Sequence, residues 1–493
     1  MDGRAVIVGG GLAGLAAAAA LAERRLAVTL LEARPRWGGR ASSFVDQTTG
    51  ESIDNCQHVN LGCGTNFQHF CRTIGIDSSF VREAKLTFIG PDGRMYRFGA
   101  APLPAPLHLF PSLLRLGYLS LAEKRRLADA LRRLARTDPA RCGDESFLHW
   151  LQRHGQSASA IERFWHVVLV SALSETLDRI DVAHARKVFV DAFLANRHGW
   201  EVWLPTAPLD ELYGKRIEQW FASQNVIGRL QSGVRRVVVE GAGPTALAAG
   251  VELRSGERID ADHVILAVPQ NLVLALLPDD WRTAPELAAI DKLEAAPISS
   301  VHLWFDLPVT DLRHAVFVGR LSQWMFNRSA ICGRGNAVGA GQTNSRDPPC
   351  PPLRRGGAVS SELHYYQVVI SASREVLARG QEETICAVVE DLAAIWPAAR
   401  EARLVHSRLV TEHKAVVSML PGVEQFRPPQ QSPIGNLQLA GDWTKTGWPG
   451  TMEGAVRSGY LAAENVLQHC GSPEKLVQPD LSVARLSKLL FGL

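Results

Sequence analysis

The sequence is poor in cysteine and nearly balanced in charge. Its eight cysteines among 493 residues include no CxxC pair, so the chain has neither the density of a disulfide scaffold nor a usual zinc pattern. Its 53 basic and 50 acidic residues give a net charge of +3, which provides no strong field for nucleic acid. We therefore expect a cytoplasmic protein with no metal site and no nucleic-acid partner.

Long uninterrupted hydrophobic runs are also absent. The most apolar stretch, residues 5–22, contains four glycines and ends at the charged residues 23–25, so it predicts neither a signal peptide nor a membrane span. Hydrophobic residues still make up 46% of the chain, which is enough to bury a core over most of its length. The length exceeds that of one ordinary core, and we predict more than one domain.

The first forty residues have the pattern of a βαβ unit. We predict a strand at 4–8, a helix at 15–25 and a strand at 27–32. Related signals recur much later, with a buried strand at 261–269 and a helix at 452–468. Signals of one nucleotide-binding sheet thus occur at the start, middle and end, which predicts an α/β fold with a discontinuous Rossmann-like domain.

The remaining chain divides around that domain. The first insert is rich in helical patterns, and the second contains strand-like runs around a Gly/Pro-rich stretch at 334–357, which we interpret as a loop. We assign the nucleotide-binding domain to 1–95, 205–290 and 435–472, an inserted α+β substrate-binding domain to 96–204 and 291–434, and a C-terminal tail to 473–493.

A glycine motif near the start of the sequence gives the strongest indication of a ligand-binding site. Gly9, Gly11 and Gly14 form GxGxxG between the first strand and the helix. Gly9 permits the tight turn, Gly11 lets the backbone approach a pyrophosphate, and Gly14 allows close packing of the helix. Glu32 ends the second strand, where its carboxylate can accept hydrogen bonds from both ribose hydroxyls. The motif predicts a dinucleotide with its phosphates at the helix N-terminus.

Further motifs resemble the flavin-dependent amine oxidase and phytoene desaturase superfamily. Gly-Gly-Arg stands at 38–40, Leu-Ala-Gly-Asp-Trp at 439–443 and Gly-Thr-Met-Glu-Gly-Ala at 450–455. This resemblance implies an amine-oxidase-like fold with FAD as the cofactor. The residues expected to contact FAD are Gly9, Gly11, Leu12, Ala13, Gly14, Glu32, Ala33, Arg34, Gly38, Gly39, Arg40, Val234, Gly441, Asp442, Thr451, Met452 and Ala455.

A closer resemblance narrows the substrate. Asp-Asn-Cys-Gln-His at 54–58 resembles the DNGQH element of squalene-associated FAD-dependent desaturases, the hydroxysqualene dehydroxylases, with Cys56 in place of glycine. Gln-Trp-Met-Phe-Asn-Arg at 323–328 and Gly-Asp-Trp-Thr at 441–444 match as well. The resemblance implies reduction of hydroxysqualene to squalene, in hopanoid and squalene biosynthesis, by hydride from reduced flavin. The alternatives are a phytoene-type desaturase or amine oxidase, and a non-catalytic flavin-binding isoprenoid partner.

Removal of a hydroxyl needs an acid, because water leaves only after its oxygen is protonated. His58 has the most suitable ordinary pKa in the 54–58 element, and Asp54 is a candidate to orient it. The alternative interpretation makes His58 a structural or flavin-facing residue bonded to backbone, and Asp54 a loop residue. Candidate walls for an apolar substrate are Trp165, Trp324, Phe326 and Trp443, although each of these residue types also suits an ordinary core.

Two expectations concern partners. The chain has one convincing GxGxxG, which FAD would occupy, so the electrons must come from an external donor such as NADPH or a flavin reductase. Residues 101–121 combine prolines with apolar side chains ahead of a basic helix at 120–136, a pattern that suits peripheral contact with the inner membrane. The alternative is an ordinary domain-crossing segment and a solvated helix face.

Overall fold

A computed structural model describes residues 3–333, 336–337 and 362–493. The strands are β1 (Arg4–Val8), β2 (Ala27–Leu31), β3 (Ser43–Val45), β4 (Ser52–Asp54), β5 (Asn60–Leu61), β6 (Phe80–Glu83), β7 (Lys85–Ile89), β8 (Met95–Gly99), β9 (Val202–Pro205), β10 (Ile227–Arg229), β11 (Val234–Glu240), β12 (Leu247–Leu253), β13 (Arg258–Asp260), β14 (His263–Leu266), β15 (Ala295–Phe305), β16 (His314–Phe317), β17 (Trp324–Asn327), β18 (Asn336–Ala337), β19 (Glu362–Ser371), β20 (Leu404–Val417) and β21 (Leu437–Leu439).

The α-helices are α1 (Leu12–Glu23), α2 (Thr65–Thr73), α3 (Phe110–Arg115), α4 (Leu121–Arg136), α5 (Phe147–Arg153), α6 (Ala158–Ala160), α7 (Val167–Leu173), α8 (Val182–Lys187), α9 (Ile217–Gln224), α10 (Gln270–Leu276), α11 (Asp279–Arg282), α12 (Pro285–Ala288), α13 (Arg328–Cys332), α14 (Arg374–Arg379), α15 (Gln381–Ile395), α16 (Ala398–Glu401), α17 (Met452–His469) and α18 (Arg485–Phe491). No helix among the described residues is both long and apolar enough to cross a bilayer.

The first sheet is parallel and is assembled from distant parts of the chain. Its strand order is β10-β2-β1-β14-β21, with β1 in the centre. The central strands are almost fully buried, as expected for a parallel sheet covered on both faces. The predicted α/β class and its Rossmann-like sheet are therefore confirmed.

Two helices cover this sheet in unusually close contact. All residues of α1 from 12 to 22 are buried, and most are alanine. Gly459 of α17 lies so close to α1 that a Cβ at that position would overlap the carbonyl oxygen of Ala13. α1 begins three residues before the predicted start, because Gly14 belongs to its first turn rather than to the preceding loop.

The second sheet is larger and mainly antiparallel. Its order is β20-β15-β19-β17-β16-β7-β8, and the pairing of β7 with β16 is parallel. Its apolar residues pack in part against α15. The sequence predicts that residues up to 95 belong to the nucleotide-binding domain. The structure instead places β7 and β8 in the second sheet, because their backbone hydrogen bonds continue it.

Helices of the first insert cover one side of this sheet. Ser120 and Glu123 form a capping box at the start of α4, so the predicted helix at 120–136 is confirmed. The predicted loop at 334–357 lies outside the described residues apart from 336–337, whose backbone forms β18.

The C-terminal segment is not a weakly specified tail. Glu464 accepts hydrogen bonds from the backbone N–H groups of Leu476, at 2.7 Å, and Val477, at 2.9 Å. Further along, α18 packs on α4, and Ser487 donates a hydrogen bond of 2.6 Å to the carbonyl oxygen of Leu194. Residues after 472 are therefore attached to both halves of the protein.

Candidate functional site

One cavity of about 960 Å³ extends from the glycine turn of the first sheet to the aromatic side chains of the second. The predicted cofactor residues in its wall are Gly9, Gly11, Leu12, Ala13, Glu32, Ala33, Arg34, Gly38, Gly39, Arg40, Val234, Gly441, Asp442, Thr451, Met452 and Ala455. His58, Trp324, Phe326 and Trp443 line it as well, whereas Gly14, Asp54 and Trp165 lie outside its wall.

The glycines shape the narrow end of the cavity. Gly9 has a φ of +113°, and a Cβ on Gly14 would overlap the carbonyl oxygen of Gly9. Gly14 thus holds α1 against the turn and does not itself face the ligand. α1 follows Gly11 with no side-chain cap, and Gly11, Leu12 and Ala13 all line the cavity. The uncapped N–H groups and helix dipole form a site for a diphosphate.

Glu32 lies beside this helix end. Its carboxylate accepts hydrogen bonds from the backbone N–H groups of Gly10, at 2.8 Å, and Arg34, at 2.7 Å. The side chain is buried, yet it lines the cavity. Each carboxylate oxygen retains a further lone pair for a ribose hydroxyl, so the two backbone contacts fix the acid in position without using up its acceptors.

A charged pair connects the Gly-Gly-Arg and Gly-Asp-Trp motifs. The Arg40 guanidinium donates to the Asp442 carboxylate at 2.5 Å and to the carbonyl oxygen of Ala415 at 2.8 Å. Burial alone would lower the pKa of Arg40, but the Asp442 carboxylate outweighs this effect and the pKa is raised. Asn55 donates to the carbonyl oxygen of Arg40 at 2.6 Å, which joins the 54–58 element to the same network.

This end of the cavity fits FAD. It offers an uncapped helix N-terminus for the diphosphate, a fixed carboxylate for the ribose and a cradle in which added Cβ atoms would collide with backbone. Arg40, Gly441 and Asp442 stand where the cavity leaves this cradle and meets the 54–58 element. FAD bound there would supply the hydride-transferring ring, and these residues would hold its phosphates, ribose and ribityl chain.

His58 lies in the wall of the cavity with its ring tied to backbone. Its Nδ1 is 3.0 Å from the carbonyl oxygen of Cys56, so Nδ1 carries the proton and Nε2 is the acceptor in the neutral ring. Burial lowers the pKa of His58, and its contacts with Cys56 and Asp54 only partly offset this effect. The geometry supports the backbone-bonded alternative for His58; its role as an acid stays a prediction.

Asp54 is occupied by other partners. Its carboxylate accepts hydrogen bonds from Ser43 at 2.7 Å, from the N–H of Leu209 at 2.9 Å and from Arg328 at 3.0 Å. The bond of His58 goes instead to Cys56. The expectation that Asp54 orients His58 is therefore not supported by their contacts, because a buried arginine takes the Asp54 carboxylate.

Arg328 is a site-supporting residue whose role sequence reasoning missed. It is buried, and it donates to Gln57 at 2.6 Å as well as to Asp54. Both acceptors belong to the 54–58 element, so Arg328 fixes the conformation of the segment that carries His58. Arg328 stands in the matched run 323–328, and that position was the signal available in the sequence.

Some of the aromatic residues predicted to contact the substrate line the cavity, and one lies in the hydrophobic core. Trp324 and Phe326 are stacked with ring centroids 5.6 Å apart and line the cavity, and Trp324 donates to Ser171 at 3.0 Å. Trp165 is fully buried in the helical core and donates to Gln156 at 2.9 Å. Its assignment to the substrate wall is wrong, because its ring packs among core side chains; the neighbouring Phe164 lines the cavity instead.

Trp443 and a buried arginine shape the loop after β21. Trp443 donates to the carbonyl oxygen of Val268 at 2.9 Å. Arg427 donates to three carbonyl oxygens of the same loop, those of Asp442 at 3.1 Å, Thr444 at 2.6 Å and Trp448 at 2.8 Å. No motif marked Arg427 in the sequence, yet it holds the loop that forms one wall of the cavity.

Cys56, in the wall of the cavity, is a protonated thiol. Burial raises the pKa of Cys56 to about 12. Within the described ranges, no group of three or more His, Cys, Asp or Glu side chains could hold a metal ion.

Comparison with known proteins identifies the family of the chain. Residues 12–467 match the profile of the family described as flavin containing amine oxidoreductase. The chain belongs to this family. FAD is accordingly its cofactor, and the protein is a flavin-dependent oxidoreductase with an amine-oxidase-like fold.

Two similar proteins are named as a phytoene desaturase and a zeta-carotene desaturase. The 15-cis-phytoene desaturase of Solanum lycopersicum is 27% identical over 487 residues, covering 94% of this chain and 77% of the relative. The zeta-carotene desaturase of Zea mays is 27% identical over 502 residues, covering 96% of this chain and 84% of the relative.

Solved structures share the fold at lower identity. An oxidoreductase from Methanosarcina mazei has a TM-score of 0.68 at 16% identity, covering 92% of this chain and 98% of that structure. Cyclohexylamine oxidase from Brevibacterium oxydans has a TM-score of 0.65 at 17% identity, covering 96% and 100%. At these identities the likeness establishes the fold alone.

Proposed function

We propose that this flavoprotein reduces hydroxysqualene to squalene. The observation that carries the proposal is the apolar arm of the cavity, which is continuous with the FAD end. Its wall is built mainly from aliphatic and aromatic side chains, among them Leu86, Phe98, Leu113, Phe164, Phe189 and Trp200. Such a wall binds a long neutral hydrocarbon by burying apolar surface, at roughly 25 cal/mol per Å² before ordering costs.

The reaction sets clear demands on this arm. The allylic C–O bond breaks, a C–H bond forms with a hydride from the reduced cofactor, and a proton converts the departing oxygen to water. The apolar wall excludes bulk water, which protects the electron-poor carbon from capture by a second water molecule. The residue resemblance at 54–58 and 323–328 supports this substrate.

The proton needs a donor near the cofactor. His58 lies in the cavity wall, but its neutral ring presents an acceptor at Nε2 and its pKa is lowered. It therefore acts as an acid only after uptake of a proton from solvent. We expect a rate that rises as pH falls below the ordinary histidine range if His58 is the donor, and a flat profile if it is structural.

A second candidate is the desaturation of a long isoprenoid. It is favoured by the named relatives, which are phytoene and zeta-carotene desaturases and align over nearly the whole chain. In this reaction a hydride and a proton leave adjacent carbons, which requires an external electron acceptor and no acid. The same apolar arm would hold the substrate.

One experiment separates the candidates. FAD-loaded protein is reduced chemically without oxygen and given hydroxysqualene, and in parallel the oxidised protein is given phytoene with a quinone acceptor. Squalene in the first reaction supports our proposal. Products only in the second would replace it with the desaturase, and substrate binding without turnover in either would favour the non-catalytic partner. The physiological donor, NADPH or a flavin reductase, and the cytoplasmic location stay predictions.

A further inference from the structure

Two groups of exposed apolar side chains lie outside the core. The first comes from the segment before and within α3, with exposed fractions of 38% for Leu103, 40% for Leu107 and 45% for Phe110. The second comes from α18, with 78% for Leu489 and 39% for Leu490. Side chains of this size are normally buried, and several of them together indicate an interaction surface.

The chain segments that carry the two groups are anchored at adjacent residues, although almost 400 residues separate them. Arg197 donates to the carbonyl oxygen of Leu103, and the adjacent Asn196 donates to that of Ser482 at 2.9 Å. Two consecutive residues thus hold the two segments side by side. Arg136 of α4 also donates to the carbonyl oxygen of Leu490 at 2.9 Å, which places α4 beside α18.

Three of these side chains lie at the apolar opening of the cavity. Leu107, Phe110 and Leu490 each line the cavity and are each exposed to solvent. A cavity wall that is also exposed marks the place where the cavity reaches the surface. The apolar arm therefore opens between α3 and α18, away from the cofactor cradle.

Basic side chains border this opening. Arg125, Arg132 and Arg136 are spaced seven and four residues apart, so they share one face of α4, and Arg136 shows that this face adjoins α18. Arg115 and Lys488 are exposed at the ends of the two apolar segments. Among the ion pairs of the described chain, none involves Arg115, Arg125, Arg132 or Lys488.

The acidic groups of α4 are already occupied. Glu123 closes the capping box and accepts a hydrogen bond from Ser157, and Asp129 pairs with Arg133 at 2.7 Å. The border of the opening thus presents uncompensated positive charge around protruding leucine and phenylalanine side chains.

We infer that this surface, formed by Leu103, Leu107, Phe110, Leu489 and Leu490 with the bordering Arg125 and Arg132, docks on a bilayer that contains anionic lipids. Apolar side chains that protrude from a basic border complement the acyl and headgroup layers of such a bilayer. Docking would also place the opening of the apolar arm against the hydrocarbon, so a water-insoluble chain passes from lipid to cofactor without crossing water. This last step rests on the proposed function; the docking itself rests on the surface.

The test uses FAD-loaded protein and sedimentation with vesicles of phosphatidylcholine alone or with one quarter phosphatidylglycerol. We expect binding to the anionic vesicles. Leu489→Ser with Leu490→Ser should weaken binding at least about tenfold. Ile227→Ser is the matched control, since Ile227 is 60% exposed but lies on β10 of the first sheet.

A second pair of variants tests how much the basic side chains contribute to vesicle binding. Arg125→Glu with Arg132→Glu should remove the preference for anionic vesicles, a change of at least about tenfold. Arg72→Glu with Arg400→Glu changes the net charge equally at exposed positions on other helices and should have a much smaller effect. Retained FAD absorbance reports that each variant is folded.

Three results would overturn the inference: no binding of the wild type to anionic vesicles, equal binding by the leucine variants, or a stable dimer that the leucine variants dissociate. The last result would assign the surface to a second copy of the chain. Vesicle binding is measured without substrate, so protein that binds vesicles but forms no squalene contradicts the proposed function alone.

Discussion

The two ends of the cavity differ in whether backbone or side chains form the wall. The cofactor end is formed mainly by backbone, from the glycines and the first turn of α1. It also includes the carboxylate that two backbone N–H groups hold. The apolar end consists of side chains from many helices and strands. Backbone geometry tolerates almost no substitution, whereas an apolar wall accepts different side chains of similar volume. We conclude that one family can keep its cofactor while its substrates diverge.

The largest effect is expected at the backbone-built end. Gly14→Ala places a methyl group on the carbonyl oxygen of Gly9, so α1 must shift away from the turn. We expect FAD affinity to fall by more than about a thousandfold, measured by flavin fluorescence on titration. Gly214→Ala is the control, because a Cβ there meets nothing within 4 Å. Unchanged affinity of Gly14→Ala would show that this end is more plastic than its geometry indicates.

The second largest effect is expected at the buried ion pair of Arg328 and Asp54. Arg328→Met leaves the Asp54 carboxylate buried without its cation and should lower the free energy of unfolding by about 3–5 kcal/mol, measured by urea denaturation. Asp54→Asn together with Arg328→Met removes both charges and should recover part of this loss. A double variant less stable than the single one would contradict an ion-pair role.

Acid should weaken the second sheet. Burial lowers the pKa of His302 in β15 to about 3, whereas the unfolded chain has the ordinary value near 6.5. The unfolded state binds more protons below pH 6.5, so stability present at pH 7 is lost as the pH falls towards 3. Between pH 7 and 5 this histidine accounts for about 2 kcal/mol of the free energy of unfolding. His302→Gln should flatten the pH dependence by that amount, and an equally steep profile would refute the assignment.

The smallest effect is expected in the side-chain-built wall. Trp324→Phe reduces the apolar contact of the cavity and should raise KM for the isoprenoid about fivefold, with FAD content unchanged. Trp165→Phe removes the same indole from the core and should lower Tm without a change in KM. Equal KM effects from both variants would mean that the wall acts through packing rather than through contact.

The difference between a backbone-built and a side-chain-built wall explains which parts of the site could be predicted from the sequence. The βαβ unit, the glycine roles and Glu32 follow from local spacing, since the groups that interact stand within about thirty residues. The partners of Asp54 do not, because Arg328 lies 274 residues from Asp54 and no periodicity links such positions. Arg427 is close in sequence to the carbonyl groups that it binds, but no motif marks an arginine that donates to backbone carbonyls of an irregular loop. Trp165 and Trp324 are the same residue type in similar surroundings, and only tertiary packing separates core from wall.

The order of the first sheet also has a consequence for biosynthesis. β1 is made long before its neighbour β14 and the outer strand β21, which follow it along the chain, and α17 contacts α1 through Gly459. Long-range parallel pairing is slow to form and leaves apolar strands exposed in the meantime. The cradle for the diphosphate therefore closes only after β21 and α17 have been made, so we expect FAD loading to follow their synthesis and the alanine-rich α1 to remain exposed to aggregation until then.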